Sequence, residues 1–248
     1  MNDPAPVKIW NEFDRPHRDL REFLSRIERA GELLRVPGAH WNLEMGALAE
    51  SVNERPNAPA VLFEDVPEYP RGFRVLSGST NSMRRLAITL GFPVPGHPLD
   101  VVRAYRDRMK THRPIPPRVV RDGPVLENIL PEGKLDVLKF PVPFLHELDG
   151  GRYIGTDDLV IMRDPEENWV NCGTYRVMVH DAKRVGVWMS PASTAARSAR
   201  SISSTGSLAR SSCPAATTLC SFSPAGTNCV SGFPNTIMRG DTAVNRSR

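Results

Sequence analysis

The chain has 248 residues and a formal net charge of +4, long enough to bury one large core or two smaller ones. No apolar run reaches the roughly 18 to 20 residues of a membrane-spanning helix, and the opening MNDPAPVKIWNEFD is too polar and acidic for a secretory signal, so a cytoplasmic protein without a membrane span is expected. The charge is unevenly placed: residues 192–248 hold six arginines against a single acid, Asp241, a local balance of +5, which leaves the rest of the chain at −1. The body therefore lacks the electrostatic footprint of a polyanion binder, and nucleic acid is not an expected partner; a basic-tailed nucleic-acid binder rests on the tail alone.

In chain order, DLREFLSRIERAGELLRV places Asp19 as an N-cap and Leu20, Phe23, Leu24 and Ile27 at helical spacing, with Gly31 ending the helix. A short strand follows from Glu32 to Val36, then a helix from Leu43 to Asn53. AVLFEDV (Ala60 to Val66) and FRVLSG (Phe73 to Gly78) read as strands, and SMRRLAITLG and PLDVVRAYRDRMK as helices. Such alternation predicts an α/β layer. The Pro-rich THRPIPPRVVRDGPV reads as a connection between lobes.

Beyond it, helical periodicity stops. VLENIL, LDVLKFPVPF, DDLVIMRD, NWVNCGTYRVMVHD and VGVWMS read as short strands, with DPEEN and DAKR as turns. The pattern predicts an antiparallel meander whose open edge has to be covered. The expected fold class is α+β: an N-terminal α/β lobe (1–111), the beginning of an antiparallel barrel or sandwich (112–191), and a disordered tail (192–248).

The densest chemical constellation is NCGTYR, Asn171 to Arg176, preceded by GGRYIGT, Gly150 to Thr156. Asn171 and Thr174 offer oxygen ligands, Tyr175 an aromatic face with a polar tip, and Arg176 a planar cationic fork suited to a carboxylate or phosphate. The glycines, Gly173 among them, permit close approach of backbone to a ligand. An arginine on a strand is equally readable as a solvated or salt-bridged outer residue, and Cys172, between these groups, reads as packing on the opposite face. His146 reads either as packing or as a group near the mouth of a site, and His180 as lying near a hairpin turn. Trp188 and Met189 read as barrel packing. Cys213, Cys220 and Cys229 match no zinc spacing.

The ordered series DLREFLSRIERAGELLRV, ENILPEGKLDVLKFPVPFLHELDGGRYIGTDDLVIMRDPEENWVNCGTYRVMVHD and VGVWMSP resembles the UbiD family of reversible decarboxylases over residues 19–191. The sharpest motif is N-x-G-x-x-R at Asn171, Gly173 and Arg176. The resemblance implies that residues 112–191 begin an incomplete antiparallel split β-barrel of flavin-reductase type, and it implies decarboxylation of an aromatic or α,β-unsaturated carboxylic acid with prenylated FMN, a divalent metal (commonly Mn2+) and K+. It also implies a flavin prenyltransferase to supply the cofactor, and homo-oligomers as a possible assembly. Carried over by position, Asn171 is a metal ligand, Asn171, Cys172, Gly173, Thr174, Tyr175 and Arg176 line the flavin, and Arg176 holds the substrate carboxylate.

After VGVWMSP the family continues Gly-Lys-His-Gly-Arg, whereas this chain reads Ala192-Ser193-Thr194-Ala195-Ala196-Arg197. The family motif in GC-rich codons, read one base later, gives Ala-Ser-Thr-Ala-Ala. Ala216 to Gly240 is likewise what GHDPLLFLAGGNELRFGLSEYDYAG yields under the same displacement. Residues from about 192 onward are therefore expected to be a displaced-frame translation ending at an accidental stop. The family's histidine and glutamate metal ligands and its later acidic residues would be lost, and the chain would be truncated and inactive. A non-catalytic flavin-binding or partner-binding remnant is the other reading.

Overall fold

The computed structural model describes residues 17–113, 120–122, 127, 129–130, 134–163, 170–188, 211–214, 229–231 and 237–239. Helix α1 (Leu20–Arg29) starts where the Asp19 carboxylate accepts a hydrogen bond from the Glu22 N–H at 2.8 Å, satisfying one of the orphan donors of the first turn. It stops just before Gly31, whose φ of 70° suits a residue without Cβ. Strand β1 (Leu33–Pro37), helix α2 (Glu44–Asn53), strands β2 (Ala60–Glu64) and β3 (Arg74–Ser77), and helices α3 (Met83–Leu90) and α4 (Pro98–Thr111) follow in the expected order. Ser82 caps α3 through the Arg85 N–H, and Gly91 ends it in the left-handed region.

β1 runs parallel to β2 and β2 antiparallel to β3. Alternation along β2 sorts its side chains onto two buried faces. Ala60 and Leu62 meet Phe23, Leu24 and Ile27 of α1 and Ile88 of α3, whereas Val61 and Phe63 meet Met45, Ala49 and Val52 of α2. Each large apolar side chain so covered contributes about 1.5 to 3 kcal/mol of transfer free energy. Inside this lobe Arg85 is fully buried and donates to the Glu32 carboxylate at 2.8 Å and to the Ala58 carbonyl at 2.7 Å. Burial lowers the pKa of that guanidinium, with Glu32 opposing the shift.

The second sheet contains β4 (Tyr153–Arg163), β5 (Val170–Val179) and β6 (Val185–Val187), an antiparallel meander as expected. Its core face packs Ile154, Val160, Val177 and Val179 over Val137, Phe140 and Val142. LDVLKFPVPF is not a strand. The Asp136 carboxylate accepts from the Leu138 N–H at 2.9 Å and folds Val137–Lys139 into a 3-10 turn, and Pro141 and Pro143 have no N–H to give a ladder. Of VLENIL, Ile129 and Leu130 lie outside any strand, and residues 125, 126 and 128 lie outside the described residues, as do the DPEEN turn and most of the Pro-rich connection. DAKR does form the β5–β6 turn, with the Asp181 carboxylate accepting from the Lys183 and Arg184 N–H groups.

The expectation of a tail without regular structure needs correcting at three short segments. β7 (Ser211–Pro214) pairs with β4, β8 (Cys229–Ser231) with β3, and β9 (Ile237–Arg239) with β7. Edge strands present unpaired N–H and C=O groups that accept an extended segment whatever its side chains, so tail composition does not prevent the pairing. The sheet orders are β1-β2-β3-β8 and β6-β5-β4-β7-β9, and no closed barrel forms among the described residues.

Candidate active site

Strand β5 has two distinct faces. Val177 and Val179 point into the core, and Thr174, Arg176 and Met178 point the other way into a cavity of about 840 Å³. Tyr153 and Thr156 of β4, Tyr175, and Gly186, Val187 and Trp188 of the β6 region complete the lining. Register shifts in the β4–β5 ladder between Tyr153, Gly155 and Asp158 break strict alternation, which is how Tyr153 and Thr156 both reach the same cavity.

Gly173 has a specific steric reason. A methyl group there would lie 2.6 Å from Tyr175 Cε2 and 2.7 Å from its hydroxyl oxygen, so the ring occupies the space a side chain would take. Gly186 makes similar room for the His180 ring, 2.9 Å from the same hypothetical atom.

The expected site residues divide as follows. Thr174, Tyr175 and Arg176 line the cavity. Asn171 and Cys172 lie on β5 opposite Met162 and Ile161, and their side chains fall outside the described residues. His146 is not among the lining residues; its Nε2 sits 2.9 Å from a Glu50 carboxylate oxygen of α2 and its Nδ1 3.4 Å from Asp149. His180 lies at the β5–β6 turn, its N–H donating to the Arg184 carbonyl. Trp188, read as packing, is 74% exposed and lines the cavity instead. Met189 lies outside the described residues. Sequence reading missed Met178, Gly186 and Val187; period-two continuation from Arg176 would have found Met178.

Chemically, the arrangement offers three aromatic rings, two threonine hydroxyls and one guanidinium in one concavity of a size that holds a cofactor or drug-sized ligand. Arg176 is exposed and has no hydrogen bond or ion pair among the described residues, which leaves its fork available to an anionic ligand. That donor set fits a flat, anionic, aromatic group such as a flavin phosphate or an aromatic acid. A metal ion has no such support here: among the described residues no group of three or more His, Cys, Asp or Glu side chains converges. None of the described lining residues is a carboxylate or a histidine.

Comparison with known proteins identifies the family to which this fold belongs. Residues 24–105 match the 3-octaprenyl-4-hydroxybenzoate carboxy-lyase N-terminal domain and residues 118–229 the Rift-related domain of the same carboxy-lyase, the latter match running past the composition break at 192. The chain belongs to the UbiD family of decarboxylases. It is 37% identical over 178 residues to the pyrrole-2-carboxylic acid decarboxylase of Pseudomonas aeruginosa, covering 68% of this chain and 35% of that protein. It thus spans about a third of the length of the curated relatives it matches. Vanillic acid decarboxylase of Sedimentibacter hydroxybenzoicus, in its closed form, superposes with a TM-score of 0.72 at 28% identity, covering 80% of this chain and 43% of that one. An evolved dimeric form of the UbiD-class enzyme HmfF from Pelotomaculum thermopropionicum, in complex with prenylated FMN, gives 0.65 at 28% identity, covering 80% and 45%. Among the described residues no helix is long and apolar enough to cross a membrane.

Proposed function

We propose that this chain carries the substrate-arginine portion of a decarboxylase for an aromatic or α,β-unsaturated carboxylic acid, with prenylated FMN as cofactor. The observation that supports it best is Arg176, unpaired among the described residues and set in an aromatic-lined cavity within a chain matched by both UbiD domains. In this reading residues 1–111 form a lobe that buttresses a split β-barrel begun by residues 112–191.

The residue types suit the reaction. Arg176 orients the substrate carboxylate through two parallel N–H donors. Tyr153, Tyr175 and Trp188 hold flat rings and exclude water from the C–C bond to be broken. Asn171, Cys172 and Gly173 continue the same strand toward the flavin, and Asn171 would serve as an oxygen ligand for Mn2+, with K+ nearby, as the family resemblance implies. Losing carbon dioxide from an sp² carbon leaves an electron pair that no side chain can delocalise, and prenylated FMN, made by a flavin prenyltransferase, supplies that sink when bound. The proton that replaces the carboxylate needs a general acid, and no carboxylate lines the cavity among the described residues. We infer that this chain by itself is inactive and that the missing acids lie in the displaced reading frame. The family match reaching residue 229 weighs against that displacement, and the two back-translated segments weigh for it.

Sequencing the source DNA across codons 188–200 separates these. The functional test loads this chain and a frame-corrected chain with prenylated FMN and follows carbon dioxide release from pyrrole, phenolic and acrylic acids. The corrected chain is expected to turn over one of these classes, this chain none, and Arg176→Ala of the corrected chain to lose kcat. Turnover by this chain refutes its inactivity, and failure of the corrected chain to hold flavin refutes the cofactor assignment.

A further inference from the structure

Arg152, in GGRYIGT, immediately precedes the cavity residue Tyr153, yet its side chain points away from the cavity and into the N-terminal lobe. Its guanidinium lies 3.9 Å from the centroid of the Trp41 ring. It donates to the Tyr69 hydroxyl at 2.5 Å and to the Val142 carbonyl at 2.6 Å. The indole is itself fixed, because Trp41 Nε1 donates to the Glu68 carboxylate at 2.8 Å. Three segments distant in sequence thus converge on one cation.

The Arg152 backbone is tied just as firmly to the cavity rim. Its carbonyl accepts from the Val179 N–H at 2.8 Å, and the Tyr153 N–H donates to the Pro143 carbonyl at 3.0 Å. Tyr153 and Met178 are register partners across β4 and β5, and both line the cavity.

We propose that Arg152 is a positioning residue that anchors the Tyr153–Met178 wall of the cavity to the N-terminal lobe, so that ligand affinity depends on Trp41 and Tyr69 although neither lines the cavity. The choice of ligand rests on the flavin reading above. A cation over a partly buried indole adds attraction that a neutral side chain cannot supply, and each hydrogen bond from a charged donor is worth more than a neutral one. The cluster has a direction as well: a side chain held by ring, hydroxyl and carbonyl at once has one place to sit, and the residue next in the chain inherits that placement.

The test titrates FMN into the full chain and its variants, read by flavin fluorescence, with amide hydrogen exchange measured in parallel. Arg152→Met and Trp41→Leu are expected to raise the FMN dissociation constant about tenfold, the loss of one or more charge-assisted contacts. Arg152→Lys restores part of it. Tyr69→Phe removes only the hydroxyl contact and gives a smaller shift, which keeps the test open if Arg152→Met fails to fold. Ile88→Ala, in a separate core cluster, lowers the melting temperature and leaves FMN affinity unchanged. Equal FMN affinity in wild type and Arg152→Met, or an equal loss in Ile88→Ala, overturns the proposal. Should wild type bind no FMN, the flavin reading fails by itself. Exchange then decides: faster exchange at the Tyr153 and Val179 amides in Arg152→Met than in Ile88→Ala upholds the anchor, and equal protection overturns it.

Discussion

Replacing Gly46 by alanine opposes helix propensity to packing with a predictable winner. Gly46 lies within α2, where alanine is favoured over glycine by about 1 kcal/mol. A Cβ at Gly46, however, would lie 1.9 Å from the Leu145 carbonyl oxygen and 2.7 Å from its carbonyl carbon, both backbone atoms. Ordinary contact begins near 3.4 Å, so the 142–146 segment has to retreat by roughly 1.5 Å. Two backbone hydrogen bonds tie that segment to the residues leading into α2, Leu43 N–H to the Phe144 carbonyl at 2.8 Å and Phe144 N–H to the Trp41 carbonyl at 2.9 Å. Overpacking costs about 1 to 3 kcal/mol, and weakening two bonds adds about 1 kcal/mol each; against the helix gain the net is a loss of about 2 to 4 kcal/mol. Urea unfolding followed by tryptophan fluorescence should show a lower midpoint with an unchanged slope. A variant as stable as wild type or more so would refute the reasoning, because propensity alone predicts that result.

Four further outcomes are expected. Asp19→Ala removes the side-chain cap of α1 and should cost about 1 kcal/mol by the same unfolding assay, with Asp19→Asn nearly neutral. His17 is buried beside Phe23 with both ring nitrogens unpartnered among the described residues, and burial lowers its pKa from 6.5. The unfolded chain therefore takes up its proton first, stability falls as pH drops below 6.5, and His17→Phe should flatten that part of the pH–stability curve. Glu22, held down to about 2 by the Arg18 N–H and by the Arg18 and Arg26 side chains, adds a separate loss as pH falls from 4.5 toward 2. Gly173→Ala drives the Tyr175 ring out of its place and should weaken FMN binding about tenfold at a stability cost of roughly 1 to 3 kcal/mol, measured by titration and thermal melt.

Much of the first lobe was legible because its signals are local. Asp19 as a cap, Gly31 and Gly91 as stops, and the period of Phe23, Leu24 and Ile27 each act within a few residues. LDVLKFPVPF misled because apolar content resembles a strand, whereas two prolines and the Asp136 cap decide the backbone. At the site, NCGTYR announced itself by residue type, and the structure brings Thr174, Tyr175 and Arg176 to one cavity. The Gly46–Leu145 contact and the Trp41–Arg152 stack were not legible, since each joins residues about a hundred positions apart and no local pattern carries that information.

Pairing of β7 with β4 and of β8 with β3 means that both sheets end on borrowed ribbon. Each added strand is three or four residues long and pairs with the sheet through its main chain. Such closures are exchangeable: an extended segment from a second molecule competes on nearly equal terms, and the competition strengthens with concentration. Solubility during expression should therefore be governed by how crowded the nascent chains are rather than by the strength of the N-terminal core. Dilute, cool expression favours self-capping, and high-level expression favours runaway strand exchange between neighbours.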